Sequence, residues 1–391
     1  MQYRTGLHGE SISVLGFGCM RFTRRGGGID LKKAEQEVMA ALDAGVNYFD
    51  TAYIYPGSEA ALGEIFRRNH CRERLFIAAK LPQYLLRSAK GIDRYFDEER
   101  RRLQTDFIDF YLMHMLSDLA AWEKLRSFGI EEWIRKKKAS GEIRNVGFSF
   151  HGDTASFLQV LDTYPWDFCQ IQYNYMDEHS QAGRRGLEAA AAKGIPVIIM
   201  EPLRGGQLAV RLPAPAQELL QREGQGRSAA EWGLRWLWDQ SGVTCVLSGM
   251  NSLAMVEENC RAADQAYAGC LSPADRALID RLRALLSASM RIGCTGCGYC
   301  QPCPRGVNIP GVFRCWNEIP LDGRGKARRE YMQTTAMRRP AAGASLCVGC
   351  GACEQHCPQG LAIRQGLKAA ARELETPLYR IVEQGYRLLK I

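Results

Sequence analysis

At 391 residues the chain exceeds one ordinary domain and could hold a barrel of about 250 residues plus a smaller module, and its 46% hydrophobic and 24% charged content is normal for a soluble globular protein. No apolar run approaches the roughly 18 residues of a membrane span, and Met1 to Met20 lacks the basic-then-apolar pattern of a secretory signal, so a cytoplasmic protein is expected. The net charge of +8 is too mild to indicate nucleic acid and at most favours an acidic protein partner or an anionic cofactor.

Residues 2–22 read as extended structure broken by glycines, with Val14-Leu15-Gly16-Phe17-Gly18 as a short buried strand. A strand–helix alternation then begins. Strands are expected at 46–50, 75–80, 107–113, 145–149, 168–173, 196–200 and 243–248. Helical patterns lie near 31–44, 58–69, 91–104, 119–140, 153–163, 183–193, 228–240 and 253–267, with punctuation such as Ala44-Gly45, Ser140-Gly141 and Lys193-Gly194. Counting the first strand, this predicts a closed parallel (β/α)₈ TIM barrel over residues 1–275. No Gly-x-Gly-x-x-Gly follows a strand, which weighs against a Rossmann domain.

Four polar residues end or follow apolar strands: Asp50, Tyr55, Lys80 and His114. In a parallel barrel these positions reach the C-terminal rim, so acid, phenol, ammonium and imidazole form a candidate proton-transfer constellation. Ser58 is the expected cap of the helix that follows Tyr55. Past residue 271 the alternation stops. Ser272 and Pro273 begin a helix, and a second domain, 276–391, is expected from there, with helical character around 309–318, 324–337 and 362–390.

Eight of the 15 cysteines crowd into 294–303 and 347–357, while the scattered others, such as Cys169 and Cys245, read as small buried hydrophobes. The run Cys347-x2-Cys350-x2-Cys353-x3-Cys357-Pro358 is the ferredoxin pattern, in which three thiolates wrap one cubane and the fourth reaches the other cluster. Structural zinc prefers separated pairs and is disfavoured. The run Cys294-x2-Cys297-x2-Cys300-x2-Cys303-Pro304 is one residue short in its last gap. Two quartets fit two [4Fe–4S] clusters: Cys294, Cys297, Cys300 and Cys357 for one, Cys347, Cys350, Cys353 and Cys303 for the other. The long helical stretch between the runs resembles all-helical ferredoxin modules. The basic residues of 324–339 could dock an acidic electron carrier such as ferredoxin or flavodoxin, or simply form a solvated helix face.

Asp-Thr-Ala-x-x-Tyr-x-x-Ser-Glu with a later strand-end Lys and His resembles the aldo/keto reductase superfamily. Gly141-Glu142-Ile143-Arg144, Gln172-Tyr173-Asn174, Met200-Glu201-Pro202-Leu203-Arg204-Gly205-Gly206 and Glu258-Asn259 agree with it. With the cysteine module, the whole chain resembles the iron–sulfur subgroup of that family.

The resemblance implies carbonyl reduction by hydride transfer from NADPH or NADH, or the reverse with hydride transfer to the oxidised nucleotide. Tyr55 would be the general acid, Lys80 would lower its proton affinity, Asp50 would orient Lys80, and His114 would position the carbonyl. Ser149, Gln172 and Asn174 would contact the nicotinamide carboxamide, and Tyr173 would stack on the ring. Glu201, Pro202, Leu203, Arg204, Gly206, Glu258 and Asn259 would take the pyrophosphate and adenosine. Reductases that prefer NADPH usually place a basic residue between the last strand and Glu-Asn. None lies in 248–255, so both nucleotides stay open, with Arg204 as a compensating candidate. Tyr53, Trp122 and Trp166 are candidate substrate-pocket residues. No flavin signature is present, but a barrel rim can hold FMN by its phosphate without a short motif. That leaves cluster-linked electron transfer as the alternative activity.

Overall fold

The computed structural model describes residues 1–210, 212–337 and 340–388. Arg338 and Arg339 of the basic stretch and the last two residues of the 362–390 helical pattern lie outside them. Eight strands close a barrel: β1 (Leu15–Gly18), β2 (Tyr48–Asp50), β3 (Phe76–Leu81), β4 (Ile108–Leu116), β5 (Ile143–Phe150), β6 (Phe168–Gln172), β7 (Val197–Met200) and β8 (Val243–Ser248). Neighbours follow chain order around the ring, and the pairs that carry the rim residues, such as β2 with β3 and β3 with β4, are parallel.

Each strand is buried almost throughout, so the sequence shows apolar runs rather than half-polar alternation. Inward residues recur every second position. Tyr48, Ala78, Phe110, Leu112, Phe168, Ile198, Cys245 and Leu247 pack as one core cluster with Ile12, which comes from a two-stranded hairpin pairing Tyr3–Thr5 with Ser11–Ser13. Two residues further along their strands come Asp50, Lys80 and His114. Period two therefore aims all three inward, above that apolar layer.

Two local expectations change. The 119–140 pattern is two helices, Leu119–Ser127 and Ile130–Ala139, because Gly129 adopts φ +78° between them. Ser58 is not a helix cap: Gly57, left-handed at φ +81°, precedes the helix Ser58–Arg68. The Ser58 hydroxyl instead donates to the Cys19 carbonyl (2.9 Å) and meets the Thr51 hydroxyl (2.9 Å), which ties the Tyr55 loop to the end of β1.

The chain separates into two compact units, Met1–Leu203 with Ala229–Arg276, and Arg204–Ser228 with Ala277–Ile391. The units are interleaved, because the excursion after β7, with its helix Ala214–Glu223, groups with the C-terminal residues. Among the described residues the second unit is helical. Helices Ile309–Asn317, Arg324–Tyr331, Ile363–Leu374 and Pro377–Leu388 surround a core that includes Phe313, Trp316, Tyr331, Leu367 and Tyr379. The helix Arg324–Tyr331 runs on into a π-helical turn, Met332–Ala336.

Candidate active site

The rim is built on a buried ion pair. Lys80 Nζ donates to Asp50 Oδ1 (2.5 Å) and to the Thr51 carbonyl (2.7 Å). Gln170, inward on β6, donates to the other Asp50 oxygen (2.8 Å), so both carboxylate oxygens are held. Asp50, Lys80 and His114 are all buried. The Lys80 ammonium lies 5.2 Å from the centre of the Tyr55 ring, and the Tyr55 and His114 rings meet edge to face at 6.2 Å and 85°. Strand ends thus bring all four expected residues together.

Burial first, then the Lys80 and His151 charges, hold the His114 imidazole well below the usual histidine range. His151, at the end of β5, is pushed down to about 4, also chiefly by burial. Both rings are neutral at neutral pH, so His114 can offer an N–H to an oxygen without a competing charge. The backbone turns sharply just past His114. Met115 sits at φ +58°, and its N–H donates to Ser149 Oγ (2.8 Å). A left-handed non-glycine residue at that point is backbone strain next to the four rim residues.

Around this core the expected nucleotide contacts separate. Ser149 and Gln172 face inward; the Gln172 amide donates to Asp177 (3.0 Å) and its carbonyl accepts from Gln181 (3.1 Å). Asn174 is otherwise engaged. Both its amide hydrogens go to Asp177 Oδ2 (2.9 Å) and the Glu201 carbonyl (3.0 Å), while its oxygen accepts from the Met176 and Asp177 N–H groups. That side chain clamps its own loop and has no donor left for a carboxamide. Tyr173 is corrected too. One residue out of phase with Gln172, it points away from the barrel axis onto Trp236 (5.1 Å), and its hydroxyl donates to Gln240 (3.0 Å).

Pro202 is buried, and Leu203 packs where Gly233 leaves room for it. Asn259 donates to Ser248 Oγ (3.0 Å), joining the helix Leu253–Ala263 to β8, with Glu258 half-buried beside it. Glu201, at φ +52°, faces the Arg21 guanidinium at 3.4 Å. Arg204 and Gly206 belong to the second unit, where Arg204 contacts Met290 and its neighbour Gln207 donates to the Cys294 carbonyl. Trp122 and Trp166 meet edge to face (4.8 Å) in the core, and Tyr53 lies against Tyr95 (4.7 Å).

In the second unit the two cysteine runs are built alike. Each reads Cys-x-Gly-Cys-Gly-x-Cys, and Gly296, Gly298, Gly349 and Gly351 all take positive φ, between +72° and +83°. Left-handed glycines let such a loop curl and turn its amides inward. A cavity is lined by Cys294, Cys297, Cys300 and, from the other run, Cys357. Burial pushes the Cys300 thiol up to about 12, and Cys294, Cys297 and Cys357 are near enough to act on it electrostatically. Cys353 is likewise raised, by burial first, with Cys347 and Cys303 among its neighbours.

Residues 14–269 match the model of the aldo/keto reductase family, and residues 293–362 match that of a 4Fe-4S dicluster domain. The chain belongs to the aldo/keto reductase family. Among its relatives, L-galactose dehydrogenase of Arabidopsis thaliana is 26% identical over 66% of this chain and 87% of its own length. The 6-dehydroglucose reductase of Novosphingobium aromaticivorans is 28% identical over 66% and 88%. The structure of aldo-keto reductase AKR11C1 from Bacillus halodurans superposes with a TM-score of 0.60 at 24% identity, covering 72% of this chain and 96% of that one. An aldo/keto reductase from Klebsiella pneumoniae, solved with NADP and acetate, gives 0.58 at 23% identity over 72% and 95%.

Sequence reasoning missed three residues in this aldo/keto reductase. Gln170 orients Asp50; its signal was its place two residues before Gln172 on a strand whose alternate residues face inward. His151 stands just past the end of β5, one more polar residue at a strand end. Arg21 has no comparable signal: it follows β1, yet its side chain reaches Gly249, beyond β8, and its carbonyl accepts from Asn251 (3.5 Å).

Proposed function

We propose that this oxidoreductase reduces an aldehyde or ketone to an alcohol with NADPH or NADH as hydride donor and Tyr55 as general acid, or runs the reverse with the oxidised nucleotide as hydride acceptor and Tyr55 as general base. The supporting observation is the buried Lys80 ammonium, fixed by Asp50 and Thr51 and 5.2 Å from the Tyr55 ring. An unassisted phenol gives up its proton near pH 10, and a cation this close favours the phenolate, which makes Tyr55 a readier proton donor. Neutral His114 donates a hydrogen bond to the substrate oxygen and sets it beside the phenol. A nicotinamide nucleotide held at this rim would supply the hydride for the carbonyl carbon and leave oxidised. Tyr55 delivers the proton to oxygen, which completes the alcohol.

The residues fit such a nucleotide. Ser149 accepts from Met115 and keeps its own proton to donate, and Gln172 lies inward beside it. Pro202, Leu203, Glu258 and Asn259 are assigned to its adenosine half. NADP in the Klebsiella structure and the 6-dehydroglucose reductase among the curated relatives support the class.

The cysteine quartets fit two [4Fe–4S] clusters in the crossed arrangement, with Cys357 joining the first run and Cys303 the second. Bound clusters would supply one-electron redox capacity. They also favour a second reading, in which the enzyme exchanges electrons with an external carrier or through a flavin. The test is made under nitrogen on reconstituted protein: NADPH, then NADH, is added with and without a panel of aldehydes and ketones. The proposal expects steady cluster absorption and carbonyl-dependent nucleotide oxidation. Bleaching without any carbonyl dependence would establish the second reading in its place.

A further inference from the structure

The helix Ile363–Leu374 carries Arg364, Lys368 and Arg372 at four-residue spacing, which aligns them along one exposed face. With Arg380 of the next helix they line a cleft of about 660 Å³ that also includes Cys347, Val348 and Gly349 of the second cysteine run. Arg364 binds Glu354 and reaches the Gly349 carbonyl (3.5 Å), which pins the basic stripe to the cysteine loop. The carboxylate lining the cleft, Glu375, is buried and turned inward, where it accepts from the Tyr331 hydroxyl (2.7 Å) and the Ser345 N–H (3.0 Å).

Among the described residues Lys368, Arg372 and Arg380 enter no ion pair. Cys350 is exposed, Val348 beside it is 63% exposed, and Leu378 and Ile381, flanking Arg380, are 61% and 66% exposed. Exposed apolar side chains interleaved with uncompensated cations are the make-up of a transient protein-docking surface. A small anion would engage the cations and leave that apolar surface uncovered.

We propose that this cleft docks a small acidic electron-carrier protein, whose carboxylates pair with Lys368, Arg372 and Arg380 while its contact face covers Val348. The proposal rests on the reading that Cys347, Cys350, Cys353 and Cys303 hold a cluster. It also moves docking away from the basic stretch that the sequence singles out. There Arg324 lies 3.9 Å from Glu373, and Arg328 donates to the Glu373 carbonyl (2.8 Å).

The test compares two charge reversals of equal size in the reconstituted full-length protein, Lys368→Glu/Arg372→Glu and Lys326→Glu/Arg329→Glu. Binding of an acidic two-cluster ferredoxin and of a flavodoxin is measured from low to high salt, with poly-L-glutamate as a charge-only probe. The cleft pair is expected to weaken carrier binding at least tenfold at low salt and to flatten its salt dependence, while the second pair stays within about twofold.

Equal losses in both pairs would overturn the proposal. So would poly-L-glutamate binding as tightly as the carriers, or no salt-dependent binding of either carrier to the unaltered protein. Cluster absorption and carbonyl-dependent nucleotide oxidation are followed in all three proteins and are expected to be unchanged. Missing cluster absorption in the unaltered protein would sink the cluster reading, and missing carbonyl-dependent oxidation the reductase reading. Neither result can be mistaken for loss of docking.

Discussion

The barrel rim and the cysteine loops gather the chain's candidate functional residues, but they are held in place by different forces. At the rim, Asp50, Lys80 and His114 sit on strands whose hydrogen-bonded register fixes them, above a packed layer of Tyr48, Ala78 and Leu112. The protein alone pre-organises that geometry. The cysteine runs are loops curled by left-handed glycines, and their ligands are half-exposed or exposed. Cys294, Cys300, Cys303, Cys347, Cys353 and Cys357 pack against the helical core, but no strand register fixes the loops, so bound metal would have to contribute to their order, and its removal should be felt there and not at the rim.

The sharpest way to break the comparison is at the rim itself. Lys80→Met removes the cation beside Tyr55 and leaves Asp50 buried with one donor, Gln170, of the two side-chain donors it had. The turnover rate should fall by about 10² to 10⁴, the range for loss of acid–base assistance. Nucleotide affinity, measured by fluorescence titration, should move far less. Comparable losses in both would make Lys80 a binding residue.

At the other region, ligand pairs test whether the two runs cross. Removing Cys300 and Cys357 together should cost one cluster, leaving about four irons per chain, whereas removing Cys353 and Cys357 together should cost both. The reverse result, one cluster lost with Cys353 and Cys357, would mean that each run holds its own. In either variant carbonyl-dependent nucleotide oxidation should persist, since the rim does not depend on metal for its geometry.

The same contrast explains what the sequence could and could not disclose. Strand-end polarity exposed Asp50, Lys80 and His114 because a parallel barrel turns a local pattern into a shared rim. Cysteine spacing pointed to the 4Fe-4S dicluster domain because a cubane imposes its own intervals. Tyr173 was misplaced because a motif of adjacent residues, Gln172-Tyr173-Asn174, was taken as one surface, although neighbours on a strand face opposite ways. Asn174 looked available because its four internal partners become neighbours only when the chain turns at Met176 and Asp177. The interleaving of 204–228 with the C-terminal unit had no local signature either: Gln207 meets the Cys294 carbonyl across a sequence separation of 87 residues.

Protons offer a gentler probe of the barrel. Unfolded histidine takes up a proton near pH 6.5, whereas His114 and His151 resist it in the folded state, His151 down to about 4. Below pH 6.5 the unfolded chain therefore binds more protons than the folded one, so acidification favours unfolding. Each such histidine contributes a slope approaching about 1.4 kcal/mol per pH unit, absent at pH 7 and above and growing as pH falls toward 5. His114→Gln removes one share. Its stability relative to the unaltered protein, from urea melts followed by tryptophan fluorescence, should be flat above pH 7 and shift in the variant's favour as pH falls. Parallel curves down to pH 5 would mean that His114 protonates in the folded barrel as easily as in the unfolded chain. The neutral imidazole assigned to the carbonyl oxygen would then have to be given up.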